Sequence, residues 1–151
     1  MTFALGKASQ AKLDLVKPQL ARVVRRAITL TTQDFTVFEG MRSPATQAEY
    51  LRRGVTKVKA SKHLTGDAVD LVPWIDRGPR WEWPAIYPIA AAMREAAIVE
   101  GVQLRWGGTW SSLNALPAGE PAIRKAVDDY TRSRLAVGKS AFIDGAHYEL
   151  V

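Results

Sequence analysis

The chain has 151 residues, 47% of them hydrophobic and 24% charged, which suits one compact core and leaves no composition shift to mark a second domain. It contains no cysteine, which excludes a disulfide framework, a thiol nucleophile and any thiolate metal site. The formal net charge is +6 and the sequence pI about 9.8, a balance that favours a polyanion (nucleic acid, anionic lipid or bacterial wall) or serves solubility alone, and the scatter of Lys and Arg along the chain weakens the nucleic-acid case.

Residues 1–10 lack a basic segment leading into an apolar one, so no secretory signal is expected and synthesis in the cytoplasm follows. No stretch approaches the roughly 20 apolar residues of a membrane span. Pro84 to Ala97 comes nearest, and Arg94 and Glu95 interrupt it.

In chain order, Ser9 is placed to cap a helix running to Ala27, with Leu13, Val16, Leu20, Val23, Val24 and Ala27 at helical spacing and Pro18 kinking or dividing it. Arg22, Arg25 and Arg26 fall towards its end, where they suit the helix dipole. Phe35 to Phe38 reads as a strand ended by Gly40. Thr46 to Arg53 reads as a short helix stopped by Gly54, and Val55 to Ser61 as a basic loop. Ala68 to Val72 is a second strand, ended by Pro73, and Arg77 to Trp83 a loop. Pro84 to Val99 is an Ala-rich helix with Gly101 past its end. Val102 to Trp106 is a third strand, Ser111 to Gly119 a loop and Glu120 to Leu135 a helix. His147 to Leu150 is a last strand that closes the sheet. Irregular alternation of helices with short strands implies an α+β fold with a small, mainly antiparallel sheet, residues 1–151 forming a single domain.

The chain has two histidines, and they stand in its most distinctive segments. One is Ser61-Lys62-His63-Leu64-Thr65-Gly66-Asp67-Ala68-Val69-Asp70-Leu71; the other is Asp144-Gly145-Ala146-His147-Tyr148-Glu149. A catalytic zinc site needs three protein ligands and one position left to water, and His63, Asp70 and His147 can supply them. On one helix His63 and Asp70 would sit about 10 Å apart, too far for a shared ion. Gly66 breaks the helix, so the histidine can lie on a loop and the aspartate on the following strand. Asp144, beside His147 on a Gly145 turn, can act as general base and acid. The alternative for each His–Asp pair is a hydrogen-bonded structural contact, and the H-E-x-x-H helix is absent.

The pattern S-x-H-x-x-G-x-A-x-D-L, followed late by D-x-x-H-Y-E, resembles the LAS metallopeptidases. That group includes D-Ala-D-Ala carboxypeptidases and dipeptidases, phage L-alanyl-D-glutamate endopeptidases and the hedgehog signalling domain. Gly40-Met41-Arg42-Ser43 with Gln47 is similar to a segment preceding the first motif in that family, and Arg105-Trp106-Gly107-Gly108-Thr109-Trp110 to its WGG-x-W segment, with Thr109 where relatives carry an acid. The features together resemble most a phage endolysin of the endopeptidase type.

The resemblance implies a hedgehog/D-Ala-D-Ala peptidase-like fold and a zinc-dependent cut between L-Ala and D-Glu in peptidoglycan stem peptides. It implies zinc on His63, Asp70 and His147, with Asp144 as catalytic acid/base. Arg42 would stabilise the carbonyl oxygen or anchor a substrate carboxylate, against the alternative of a surface cation. Ser61 and Gln47 would contact the peptide, against local loop hydrogen bonds. Trp106 and Trp110 would floor the groove, against a buried aromatic cluster. The enzyme would act as a monomer, made in the host cytoplasm and reaching the wall through a separate pore or from outside. Competing expectations are a D,D-carboxypeptidase or dipeptidase on wall precursors, and a non-catalytic wall-binding domain of the same fold. A Ser-His-Asp hydrolase lacks the G-x-S-x-G turn it would need.

Overall fold

The computed structural model describes residues 2–54 and 61–151. Helices α1 (Lys7–Leu13) and α2 (Pro18–Leu30) precede strand β1 (Phe35–Glu39) and helix α3 (Pro44–Arg52). A single 3₁₀ turn (Lys62–Thr65) then leads to β2 (Ala68–Ile75), β3 (Gly78–Pro79) and the long helix α4 (Trp83–Glu100). Strands β4 (Leu104–Trp106) and β5 (Ser111–Ser112), helix α5 (Glu120–Ala136) and strand β6 (His147–Leu150) complete the chain. The fold is α+β, with an antiparallel sheet in the order β1-β2-β6-β4-β5 and β3 paired to the far end of β2.

The core lies between the sheet and the helices. α2 turns Leu20, Val23, Val24 and Ala27 inward against α4, whose Ile89, Ala90, Met93 and Ala97 complete the seam. Val69 and Leu71 of β2 and Tyr148 and Leu150 of β6 enter from the sheet. Burying each of the larger aliphatic chains contributes about 1.5–3 kcal/mol. This leaves the opposite sheet face to Asp70, His147 and Glu149, because strand residues alternate.

Several elements differ from the expectations above. Pro18 divides the first helix, one of the two outcomes expected of it, but α2 continues past Ala27 to Leu30, so Arg22, Arg25 and Arg26 lie mid-helix. Instead of serving the dipole, Arg22 and Arg26 pair with Glu100, and Arg25 with Asp14. Ser9 does not cap α1, which begins at Lys7. It is buried inside the helix, where its hydroxyl meets Thr36 Oγ1 and accepts from the Val37 amide, tying α1 to β1. β2 runs through Pro73 to Ile75. Trp74 donates to Asp34 on the β1 side and Leu71 to Ala146 on the β6 side, so the hydrogen that Pro73 lacks would point where β6 has already ended. β6 does not close an edge; it is inserted between β2 and β4, with all four residues buried. α3 begins at Pro44, earlier than expected, with Ser43 accepting from the Thr46 amide as its cap. Residues 55–60 of the expected basic loop lie outside the described residues.

Candidate metal centre

His63 rides on the 3₁₀ turn. Ser61 opens that turn by accepting from the His63 amide at 3.2 Å, and Gly66 ends it in the left-handed region at φ 74°. Two bonds then clamp the turn to the end of β1: the Arg42 amide donates to the His63 carbonyl at 2.8 Å, and His63 Nδ1 lies 2.8 Å from the Gly40 carbonyl. A carbonyl only accepts, so Nδ1 carries the hydrogen and Nε2 keeps a lone pair. That lone pair faces Asp70, whose Oδ1 is 3.3 Å away.

The pairing of β2 with β6 sets Asp70 directly opposite His147. His147 Nδ1 approaches the same Asp70 oxygen at 3.3 Å, and its ring centroid is 5.2 Å from that of His63. One donor atom from each of His63, Asp70 and His147 lies within 4.8 Å of the others. Both nitrogen-to-oxygen distances exceed the ~2.9 Å preferred by a direct N–H···O bond. Two imidazole nitrogens and a carboxylate oxygen this close together can hold one divalent ion, leaving a position for water.

Asp144 stands beside this triad on the turn before β6. Its amide donates to the Gly107 carbonyl at 2.9 Å, its carbonyl accepts from the His147 amide at 3.1 Å, and the Gly107 amide donates to the His147 carbonyl at 2.9 Å. Gly107 is needed for closeness: a Cβ there would come within 2.1 Å of the Asp144 carbonyl oxygen. Gly145 is needed for the same reason, since a Cβ would meet Ile86 and Trp83 at 2.8 Å.

The electrostatics separate the two aspartates. Burial opposes ionisation of Asp70, but His147 and His63 outweigh it and hold the carboxyl well below the usual range. Burial raises Asp144, and the charge of Asp70 raises it further. Burial would lower His147, but Asp70 and Glu149 prevail and push the metal-free imidazole up to about 9.

His63, Asp70, His147, Asp144, Arg42 and Ser61 line one groove of about 700 Å³. Arg42 is no surface cation. It is buried, its Nε donates to Glu39, its Nη1 donates to Gln47 Oε1, and its guanidinium lies 4.8 Å from the Tyr50 ring. Gln47 and Trp106 do not occupy the places expected of substrate contacts. Gln47 is 2% exposed and sits behind Arg42, because it faces inward from α3. Trp106 is fully buried; its indole donates to the Gly145 carbonyl at 2.9 Å and stacks on Tyr148. Trp110 lines the groove instead, 5.6 Å from the His147 ring, and Phe38 and Trp81 form an exposed edge-to-face pair on the same groove. Thr109 bonds Ser111.

The sequence reading singled out Gly107 within the WGG-x-W segment, but it gave no role to Glu39 or Glu149. Glu149 was open to discovery, since it stands two residues from His147 on a strand and so shares its face. The model of the phage L-alanyl-D-glutamate peptidase family matches residues 1–151. The chain belongs to that family. It is 37% identical over 116 residues to the L-alanyl-D-glutamate peptidase of Escherichia phage T5, a match spanning 74% of this chain and 85% of that protein. Among solved structures, the Serratia marcescens L-Ala D-Glu endopeptidase ChiX matches with a TM-score of 0.73 and 32% identity, over 98% of this chain and 90% of that one. Family membership accords with the resemblance drawn from the two histidine segments, and the ChiX match accords with the fold class. Among the described residues, no helix is long and apolar enough to cross a membrane.

Proposed function

We propose that this chain is a zinc-dependent peptidoglycan hydrolase that cuts the stem peptide between L-Ala and D-Glu, as a single catalytic domain acting as a monomer. The observation that carries the reading is the convergence of His63, Asp70 and His147 on one point, with Asp144 beside them in an open groove. The names of the relatives supply the bond; the donor set supports the metal.

His63 Nε2, an Asp70 oxygen and His147 Nδ1 would hold the zinc. When bound, such an ion lowers the pKa of water and polarises a carbonyl. Asp144 would take the proton from the attacking water and return it to the amine of D-Glu as the bond breaks. Its buried place beside the triad suits both duties, since it keeps the carboxyl within reach of the attacking water and the leaving amine. Arg42 would offset charge on the tetrahedral oxygen or anchor a substrate carboxylate. Glu39 and Gln47 grip two of its nitrogens and so fix the direction of its remaining donors. Ser61 shapes the turn bearing His63 and leaves its side of the groove polar. Trp110, rather than Trp106, would contact substrate.

The positive charge suits an enzyme that settles on an anionic wall. As a phage endolysin it would accumulate in the host cytoplasm and act after release to the wall. The test is mass analysis of muropeptides from purified peptidoglycan digested by the protein. New N-terminal D-Glu is expected; free D-Ala would support a carboxypeptidase instead, and no product at all would support a non-catalytic domain.

A further inference from the structure

His147 and Glu149 leave the same face of β6, while Tyr148 between them enters the core. The two ring nitrogens of His147 are therefore engaged differently. Nδ1 lies 3.3 Å from Asp70 Oδ1, and Nε2 lies 2.8 Å from Glu149 Oε1. An ionised carboxylate only accepts, so the neutral imidazole carries its hydrogen on Nε2 and aims the Nδ1 lone pair at the triad. His63 is wired the other way round: the Gly40 carbonyl takes Nδ1–H and frees Nε2.

We propose that Glu149 is a positioning residue for the metal centre, fixing both the orientation of His147 and the nitrogen it offers. The proposal rests on reading the triad as a metal site. An imidazole without such a partner can turn about its Cβ–Cγ bond and present its other edge. Acceptors bonded to the far nitrogen of a ligating histidine are what hold the tautomer and the ring plane.

Glu149 is itself held for this task. It is 7% exposed, and a buried carboxylate needs cationic partners to stay ionised. Its second oxygen lies 3.3 Å from Lys62 Nζ and 3.9 Å from Arg105 Nη1. Lys62 is the residue before His63, and Arg105 is the β4 register partner of Glu149. Lys62 Nζ also donates to the Leu150 carbonyl at 2.5 Å, and the Arg105 guanidinium lies 5.0 Å from the Trp110 ring, which flanks His147. One carboxylate thus links the 3₁₀ turn, β4 and β6 around the centre.

The experiment uses the full chain, purified metal-free, with zinc titrated against a chromophoric chelator, and ¹⁵N-histidine spectra of the zinc-loaded wild type. Glu149→Ala should bind zinc about 10–100-fold more weakly with unchanged far-UV circular dichroism. Glu149→Gln, which keeps an acceptor oxygen in place, should recover most of that loss. The wild-type spectra should show His147 bound through Nδ1 with its proton on Nε2, and His63 the reverse. This readout needs no variant, so it holds even where Glu149→Ala fails to fold. Wild-type affinity in Glu149→Ala, or His147 bound through Nε2, would overturn the proposal while leaving the metal centre standing. A wild-type protein that takes up no zinc would overturn both.

Discussion

Gly107 and Asp144 are joined backbone to backbone, the Asp144 amide donating to the Gly107 carbonyl at 2.9 Å with no room for a Cβ between them. The WGG segment therefore acts on the site from beneath, by placing Asp144. Gly107→Ala should push the Asp144 turn away from the triad and lower kcat by about 100-fold, the scale of effect that a 1 Å misplacement produces. Zinc content should stay at the wild-type level. Loss of zinc together with activity would show that the strand, and not only the turn, had moved.

Asp144→Asn should keep its place on the turn and its zinc, yet lose about 10²–10⁴-fold in rate, the usual contribution of a positioned acid or base. The pH profile carries the sign. Burial and the neighbouring Asp70 raise the Asp144 carboxyl in the metal-free protein, whereas a bound cation beside it would favour the ionised form. The base must be ionised, so kcat/KM of the loaded enzyme should fall as pH drops through the Asp144 titration. The acid limb should vanish in the slow Asp144→Asn enzyme. An unchanged limb in that variant would assign the titration to another group.

Zinc uptake should depend on pH through His147. Against burial, Asp70 and Glu149 raise this imidazole from 6.5 to about 9 in the metal-free protein, and a protonated nitrogen cannot ligate. Apparent affinity should therefore rise about tenfold per pH unit and level off near the raised value. The same shift contributes to the stability of the metal-free fold below pH 6.5 and is lost as pH rises through about 9. Thermal melts of metal-free and loaded protein across this window would check both signs: the metal-free Tm should fall towards alkaline pH while the gain on adding zinc grows.

Gln47 and Arg42 form a buried pair, so Gln47→Ala should act on the reaction through Arg42. Leaving a buried guanidinium nitrogen without its acceptor costs about 1–3 kcal/mol in stability. The kinetic sign is a fall in kcat with KM nearly unchanged. A rise in KM alone would return Gln47 to the role of a substrate contact.

The two tryptophans of the WGG-x-W segment should separate cleanly. Trp106→Ala removes a fully buried ring and should cost about 3–5 kcal/mol of stability. Trp110→Ala, at the groove wall, should leave Tm within a few degrees and raise KM for peptidoglycan fragments. Equal effects of the two substitutions on both quantities would contradict the placement of Trp106 in the core and Trp110 at the wall.

Helices α4 and α5 and the turn-making glycines at positions 66 and 101 were legible from the sequence because each rests on local periodicity or local backbone freedom. The central place of β6 was not, because strand order is decided by pairing between distant segments. Ser9 shows the same limit: a serine near a helix start reads as a cap, and only the packing of α1 on β1 reveals it as a bridge to Thr36 and Val37. At the site, ligand types and chain order carried the triad and Asp144. Polar residues that act from behind, Glu39 on Arg42 and Glu149 on His147, have no spacing rule of their own, and the burial that sends Gln47 and Trp106 away from the groove is invisible without a third dimension.

Chelator-treated protein assayed on purified peptidoglycan, before and after one equivalent of zinc, tests the metal centre most directly. Release of L-Ala–D-Glu cleavage products should be lost on removal of the ion and restored by zinc in the wild type, and not restored in His63→Ala. Full cleavage by demonstrably metal-free protein would contradict the proposed chemistry of His63, Asp70 and His147.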